Sequence, residues 1–139
     1  MNYYISDDKR RLPLGELWAL LRQTYWARER DMETVARSVE SSLCFGAYAA
    51  ESGELIGFAR VITDYATTFY LCDVTVAEAY RGQGVGKALA ERAVNDARVR
   101  SLRGILATGD AHGLYERFGF RLNSQKFMER KAGKDDNNG

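Results

Sequence analysis

Histidine occurs once in this sequence and cysteine only twice, at Cys44 and Cys72. A set so small and scattered cannot assemble a zinc site, so no metal is expected, and the two isolated cysteines read as reduced thiols rather than a disulfide framework. Charge of one sign is also missing. The 20 basic and 19 acidic residues leave a net charge of +1, without the broad positive field of a dedicated nucleic-acid binder. No apolar run approaches the length that spans a bilayer. The opening "MNYYISDDKRR" reaches charged residues early and has no apolar h-region, so no secretory signal is expected. Together these absences point to a cytoplasmic protein without nucleic-acid or membrane partners. A small charged ligand stays open.

What is present is enough for one core. Of the 139 residues, 45% are apolar and 28% charged, which suits a single domain over residues 1–130. The remaining "KAGKDDNNG", residues 131–139, is polar and aperiodic and is expected to be disordered. "YYIS" reads as a short first strand. Leu14, Leu17, Trp18, Leu21 and Tyr25 recur at helical spacing behind Pro13, and Val35, Val39 and Leu43 repeat the pattern, so two helices follow. The chain turns extended at "CFGAYAA". Past the turn "ESGE", the β-branched and aromatic runs "LIGFARVIT" and "FYLCDVTVA", joined by polar "DYATT", predict an antiparallel meander. Leu89, Ala93 and Ala97 then share a helical face from about residue 85 to 99. "GILAT" reads as a short buried strand, "AHGLYERF" as a last helix closed by Gly119, and "GFRL" with "KFMER" as two final strands.

Between the meander and the third helix lies "YRGQGVGKALAERA", with glycine at alternate positions 82, 84 and 86. It is not a P-loop: the glycine needed six places before Lys87 is Arg81, and Ala88 stands where serine or threonine is required. It is not a dinucleotide fingerprint either, since Lys87 takes the place of the third glycine. What remains physically is a run of backbone amides able to turn toward one point at a helix N-terminus, where the dipole favours negative charge: a pyrophosphate cradle. The alternative is a tight strand-to-helix turn whose glycines serve sterics alone.

The longer stretch "DVTVAEAYRGQGVGKAL" resembles the acyl-CoA-binding signature of the GNAT (Gcn5-related) N-acetyltransferase superfamily, Arg/Gln-x-x-Gly-x-Gly/Ala, matched by Arg81, Gly84 and Gly86. Downstream, "ATGDAHGLYERFGF" is similar to that family's closing motif through Ala111, Tyr115, Gly119 and Phe120. The resemblance runs over roughly residues 3 to 130. It implies an α/β (α+β) GNAT fold: a mixed, mostly antiparallel sheet of about six to seven strands, splayed at strands 4 and 5, with about four helices. It implies acetyl-CoA as co-substrate, an amine acceptor as partner, and no metal. Carried over residue by residue, it places the pyrophosphate on the Gly82–Lys87 loop through the backbone amides of Gln83, Gly84, Val85, Gly86 and Lys87, with the Arg81 and Lys87 side chains at the rim. The pantetheine arm would lie along Val74, Thr75 and Val76. Thr108 stands where many relatives have a cofactor-contacting asparagine; it keeps a hydroxyl and loses the amide.

Acyl transfer to an amine makes two demands: an ammonium with pKa near roughly 10.4 must lose a proton, and a departing thiolate, whose acid has pKa about 8.5, benefits from a donor. The resemblance gives Tyr115 the donor role; without it, a tyrosine between Leu114 and Phe118 reads first as a core residue. Asp73 is the candidate base. On an ideal strand it shares a side with Phe69, Leu71 and Thr75, and a carboxylate there needs a partner or a task, burial pushing its pKa up. The alternative is a bond to a backbone amide or a nearby arginine. Tyr25 and Trp26, and Asp64 and Tyr65, occupy segments where similar enzymes build acceptor pockets. His112 and Cys72 are weaker candidates, the thiol having no indicated histidine partner. Three readings follow: an acetyl-CoA-dependent N-acetyltransferase, a non-catalytic acyl-CoA-binding module, and an interaction protein with no coenzyme. A homodimer is left open.

Overall fold

In a computed structural model, residues 1–133 are described, so the greater part of the expected disordered tail, residues 134–139, lies outside them. The elements run β1 (Tyr3–Ser6), α1 (Leu14–Leu21), α2 (Met32–Glu40), β2 (Leu43–Ala49), β3 (Leu55–Thr63), β4 (Thr68–Val76), α3 (Val85–Val94), β5 (Arg103–Ile105) and α4 (His112–Glu116). The strands form one sheet in the order β1-β2-β3-β4-β5, antiparallel except for the parallel pair β4 and β5.

Each sheet face buries its own set of side chains. Val85, Leu89, Ala90, Ala93 and Val94 of α3 close over Phe45, Ile56, Val61 and Leu71, joined by Tyr115 of α4. On the opposite face, Leu17 and Leu21 of α1 and Val35 and Val39 of α2 meet Cys44, Tyr48 and Phe58. Phe45, Phe58, Leu17 and Leu89 are wholly shielded, each contributing roughly 1.5–3 kcal/mol of transfer free energy. A Cβ on Gly57 would stand 2.9 Å from Leu89 and 3.3 Å from Val85, so this bare position in β3 lets α3 lie close on the sheet.

Several boundaries differ from the periodicity. Helix α1 stops at Leu21, four residues before Tyr25, because the Thr24 hydroxyl donates to the Leu21 carbonyl (2.7 Å) and accepts from the Ala27 amide (3.1 Å), turning the chain outward. Leu43 opens β2 instead of closing α2. Helix α3 ends at Val94 rather than near residue 99: buried Asp96 accepts from Arg92 (2.8 Å) and Arg98 (2.7 Å) and bends the chain there.

The largest correction concerns the sheet, which among the described residues has five strands rather than six to seven. Neither "GFRL" nor "KFMER" is a strand. Register is fixed by a buried face, and these runs do not supply one: Leu122 is 74% exposed, Phe127 58% and Met128 93%. Only Phe120 turns inward, its ring edge-on to Phe69 and Tyr115.

Candidate active site

Two irregularities of β4 shape the site. The first is the expected splay. Strand β5 pairs only with Thr68, Phe69 and Tyr70, so from Leu71 onward the β5-facing edge of β4 has no strand beside it. The second was not legible in the sequence. Phe58 stands opposite Thr75 and Arg60 opposite Cys72, which sets Asp73 and Val74 against Ala59 alone: a β-bulge, with Asp73 at φ 54°. Aspartate tolerates this left-handed conformation better than most side chains. The extra residue slips the alternation, so Asp73 does not share a side with Phe69 and Leu71 but turns to the α1–α2 face.

There its carboxylate, 1% exposed, is saturated. Trp26 Nε1 donates to Oδ1 at 2.9 Å, while Arg30 Nη1 and Arg60 Nε both donate to Oδ2 at 2.8 Å. Arg60 also reaches the Ser42 hydroxyl at 3.0 Å. Burial pushes the Asp73 carboxyl up, but the bonds and charges of Arg30 and Arg60 outweigh it, and the group sits below its ordinary value. The expected rise toward neutrality is therefore reversed. Asp73 latches the loop between α1 and α2 onto β4, helped by the Trp18 indole donating to the Arg30 carbonyl at 3.0 Å.

At the end of β4 the chain passes through a 3-10 turn, Glu78–Tyr80, into the glycine loop. Gly82 (φ 80°) and Gly84 (φ 85°) take left-handed conformations, Gly84 as the N-cap of α3. Gly86 lies within the helix, where an added Cβ would come 3.4 Å from Val76. Among the described residues, the amides of Gln83, Gly84, Val85, Gly86 and Lys87 have no acceptor; the first helical bond runs from Ala88 to Gly84. The Lys87 side chain is exposed, whereas Arg81 folds back, its Nε donating to the Val76 carbonyl at 3.0 Å. Tyr80 is tied to Glu54 at 3.1 Å.

Tyr115 is nearly buried, and its hydroxyl has no hydrogen-bond partner among the described residues. Burial, and then Asp110, push its pKa above the ordinary phenol value. It lines a cavity of about 610 Å³ with Phe69, Leu106, Thr108, His112 and Phe127, beneath the chain that follows Gly119. The cavity thus reaches the β5 arm of the splay but not the glycine loop. Thr108 accepts from the Ala111 amide at 3.1 Å, so its oxygen helps start α4.

The acceptor candidates separate. Trp26 binds Asp73 directly, and Tyr25, 79% exposed, packs edge-on against it at 5.1 Å. Asp64 instead closes the β3–β4 hairpin, accepting from the amides of Ala66 (2.9 Å) and Thr67 (2.8 Å), which hold its carboxyl well below the usual range. It and Tyr65 sit beyond the opposite end of β4, which by strand rise is about 17 Å from Asp73. Burial pushes the Cys72 thiol up to about 11, which leaves little thiolate. Arg30 and Arg60 are the residues the sequence reading missed. A lone arginine inside the apolar run "LIGFARVIT", one hairpin away from the lone aspartate of "FYLCDVTVA", was the available signal for Arg60.

The family model for the acetyltransferase (GNAT) family matches residues 8–120. Histone acetyltransferase TAP1 of Glycine max is 31% identical over 117 residues, covering 83% of this chain and 47% of its own. The chain therefore spans about half the length of the curated relatives it matches. A crystal structure of a GNAT-family protein from Xanthomonas campestris superimposes with a TM-score of 0.86 at 40% identity, covering 95% of this chain and 94% of that one. A Staphylococcus aureus structure, 24% identical with a TM-score of 0.75 over 96% of this chain and 100% of that one, shares the fold.

Proposed function

The chain belongs to the GNAT acetyltransferase family, and from that premise we propose that it moves an acetyl group from acetyl-CoA directly to a primary amine of a small molecule, amino acid or peptide. The observation that carries this reading is one coincidence: at the end of β4, amides without acceptors at the start of α3 adjoin a strand edge freed by the splay. The amides of Gln83 to Lys87, with the α3 dipole behind them, suit a pyrophosphate; Lys87 adds charge at the rim, and Arg81 can do so once it leaves the Val76 carbonyl. The free edge at Val74, Thr75 and Val76 offers main-chain bonds to an extended amide-bearing arm. Thr108 keeps a free O–H to donate while its oxygen serves α4.

Acetyl-CoA, when bound, supplies the acyl thioester. Tyr115 is the proton source for the departing thiolate: its raised pKa keeps it protonated, and among the described residues its hydroxyl has no acceptor to satisfy first. Asp73 enters as a positioning residue rather than a base, since its oxygens already accept from three side chains and its pKa is low. The acceptor ammonium sheds its proton to water. Calorimetry with acetyl-CoA, followed by free-thiol release across a panel of amines, tests this. Binding and amine-dependent release are expected. Binding without release on any amine would leave an acyl-CoA-binding module, and no binding would overturn the reading.

A further inference from the structure

The cluster around Asp73 is unbalanced. One carboxylate faces two guanidiniums, leaving a net charge of +1 in a site where Asp73 is 1% and Arg60 11% exposed. The two arginines are not equivalent. Arg60 uses Nε on Asp73 and Nη1 on Ser42. Arg30 uses only Nη1, is 27% exposed, and among the described residues its Nε and Nη2 donate to nothing. A guanidinium that is half inside the protein, still charged and still holding free donors in a planar fork is built to take an anion. Of the acids that flank Arg30 in the sequence, Glu29 is exposed and Asp31 caps α2, accepting from the Thr34 amide at 2.8 Å.

Place matters as much as charge. The glycine loop and α3 occupy one face of the sheet, and beyond Tyr70 no strand among the described residues pairs with the outer edge of β4 to separate that face from the other. On that other face, beside the bulge, stand Arg30, Asp73 and Trp26, with Tyr25 packed against the indole. An amine approaching the splay from the side that α3 does not block passes these residues first.

We infer that the acceptor is a small amine bearing an anionic group, a carboxylate or a phosphate, which pairs with the free donors of Arg30 while Trp26 and Tyr25 flank it. This rests on the transfer reading above and narrows it. Polycationic amines are disfavoured, because Asp73, the carboxylate that would receive them, is consumed by the two arginines.

The test uses matched pairs: glycine against glycinamide, and O-phosphoethanolamine against ethanolamine, with spermidine as the polycation. Thiol release is measured at fixed acetyl-CoA, with kcat/KM expressed per unprotonated amine. At least one anionic member is expected to exceed its neutral partner by about tenfold or more, the scale of one charge-assisted hydrogen bond, and which pair does so separates carboxylate from phosphate. Arg30→Gln should bring that pair near parity with the acetyl-CoA Kd unchanged, and Arg30→Lys should retain part of the preference. Parity in both pairs with wild-type protein overturns the inference, as does a preference that survives Arg30→Gln. Should Arg30→Gln not fold, the wild-type pairs and Arg30→Lys still decide. Transfer to amines without charge preference defeats this inference alone; acetyl-CoA binding with transfer to no amine defeats the transfer reading, and this one with it.

Discussion

On the α3 face, the end of β4 meets a surface made of backbone: five amides and a strand edge, with side chains kept out of the way by glycine. On the opposite face, hardly three residues back along the same strand, the surface is made of side chains: a carboxylate, two guanidiniums and an indole, every distance set by a rotamer. Backbone recognition asks only that nothing intrude, so it survives many substitutions and suits a cofactor that never changes. Side-chain recognition asks that particular groups be present, so it suits whatever distinguishes one acceptor from another. The two faces should therefore fail differently.

The largest effect is expected at the side-chain face. Asp73→Asn strips two buried guanidiniums of their counter-charge and should cost about 3 kcal/mol, a fall in melting temperature of roughly 10 °C, with acetyl-CoA affinity retained in the folded fraction. The same charge sets an acid limb. Because the folded carboxyl lies below its ordinary value near 3.9, its stabilisation is present above that pH and is lost as pH falls through the folded pKa. Melts between about pH 5 and 2 should show a steeper limb in wild type than in Asp73→Asn, where the depressed carboxyls of Asp64 and Asp96 still titrate. An affinity loss in the folded variant would mean that the faces are not separate.

Tyr115→Phe should lower kcat by about 10²-fold and leave the acetyl-CoA Kd and the melt nearly unchanged, because only a hydroxyl without a partner among the described residues is lost. Stopped-assay kinetics beside calorimetry reads both; full turnover would return Tyr115 to the core. The smallest effect should fall on the backbone face. Gly84→Val forces a β-branched residue to φ near 85°, a strain of about 1–2 kcal/mol, and should weaken acetyl-CoA by about tenfold. Lys87→Ala should weaken it by less, and that difference should vanish at high salt. A larger effect from Lys87 than from Gly84 would reverse the comparison.

The same contrast explains what was legible in the sequence. Gly84 could be read because a left-handed N-cap leaves almost no choice of residue, and the order of elements was legible because helical and strand periods differ. The bulge at Asp73 and Val74 was not, since strand alternation carries no mark of where it slips, and one slipped position moved Asp73 to the other face and reversed its pKa. Arg30 lies in a loop without periodicity, so nothing local announced its partner 43 positions away. "GFRL" and "KFMER" misled because β-formers make a strand only where an edge and a buried face await them.

Gly57 gives α3 the mechanics of a lever. The helix is about 15 Å long and its far end is clamped, Arg92 and Arg98 gripping Asp96 while Arg98 also holds Asp7. Its near end, at Val85 and Leu89, rests where β3 has no side chain. A single methyl inserted at position 57 would act as a shim under that near end, tilting the helix about its clamp and raising the amides of the glycine loop relative to the strand edge they must match. The alignment of loop and edge is thus calibrated by an atom that is not there, at a position paired directly with Val76 on the strand whose edge it aligns.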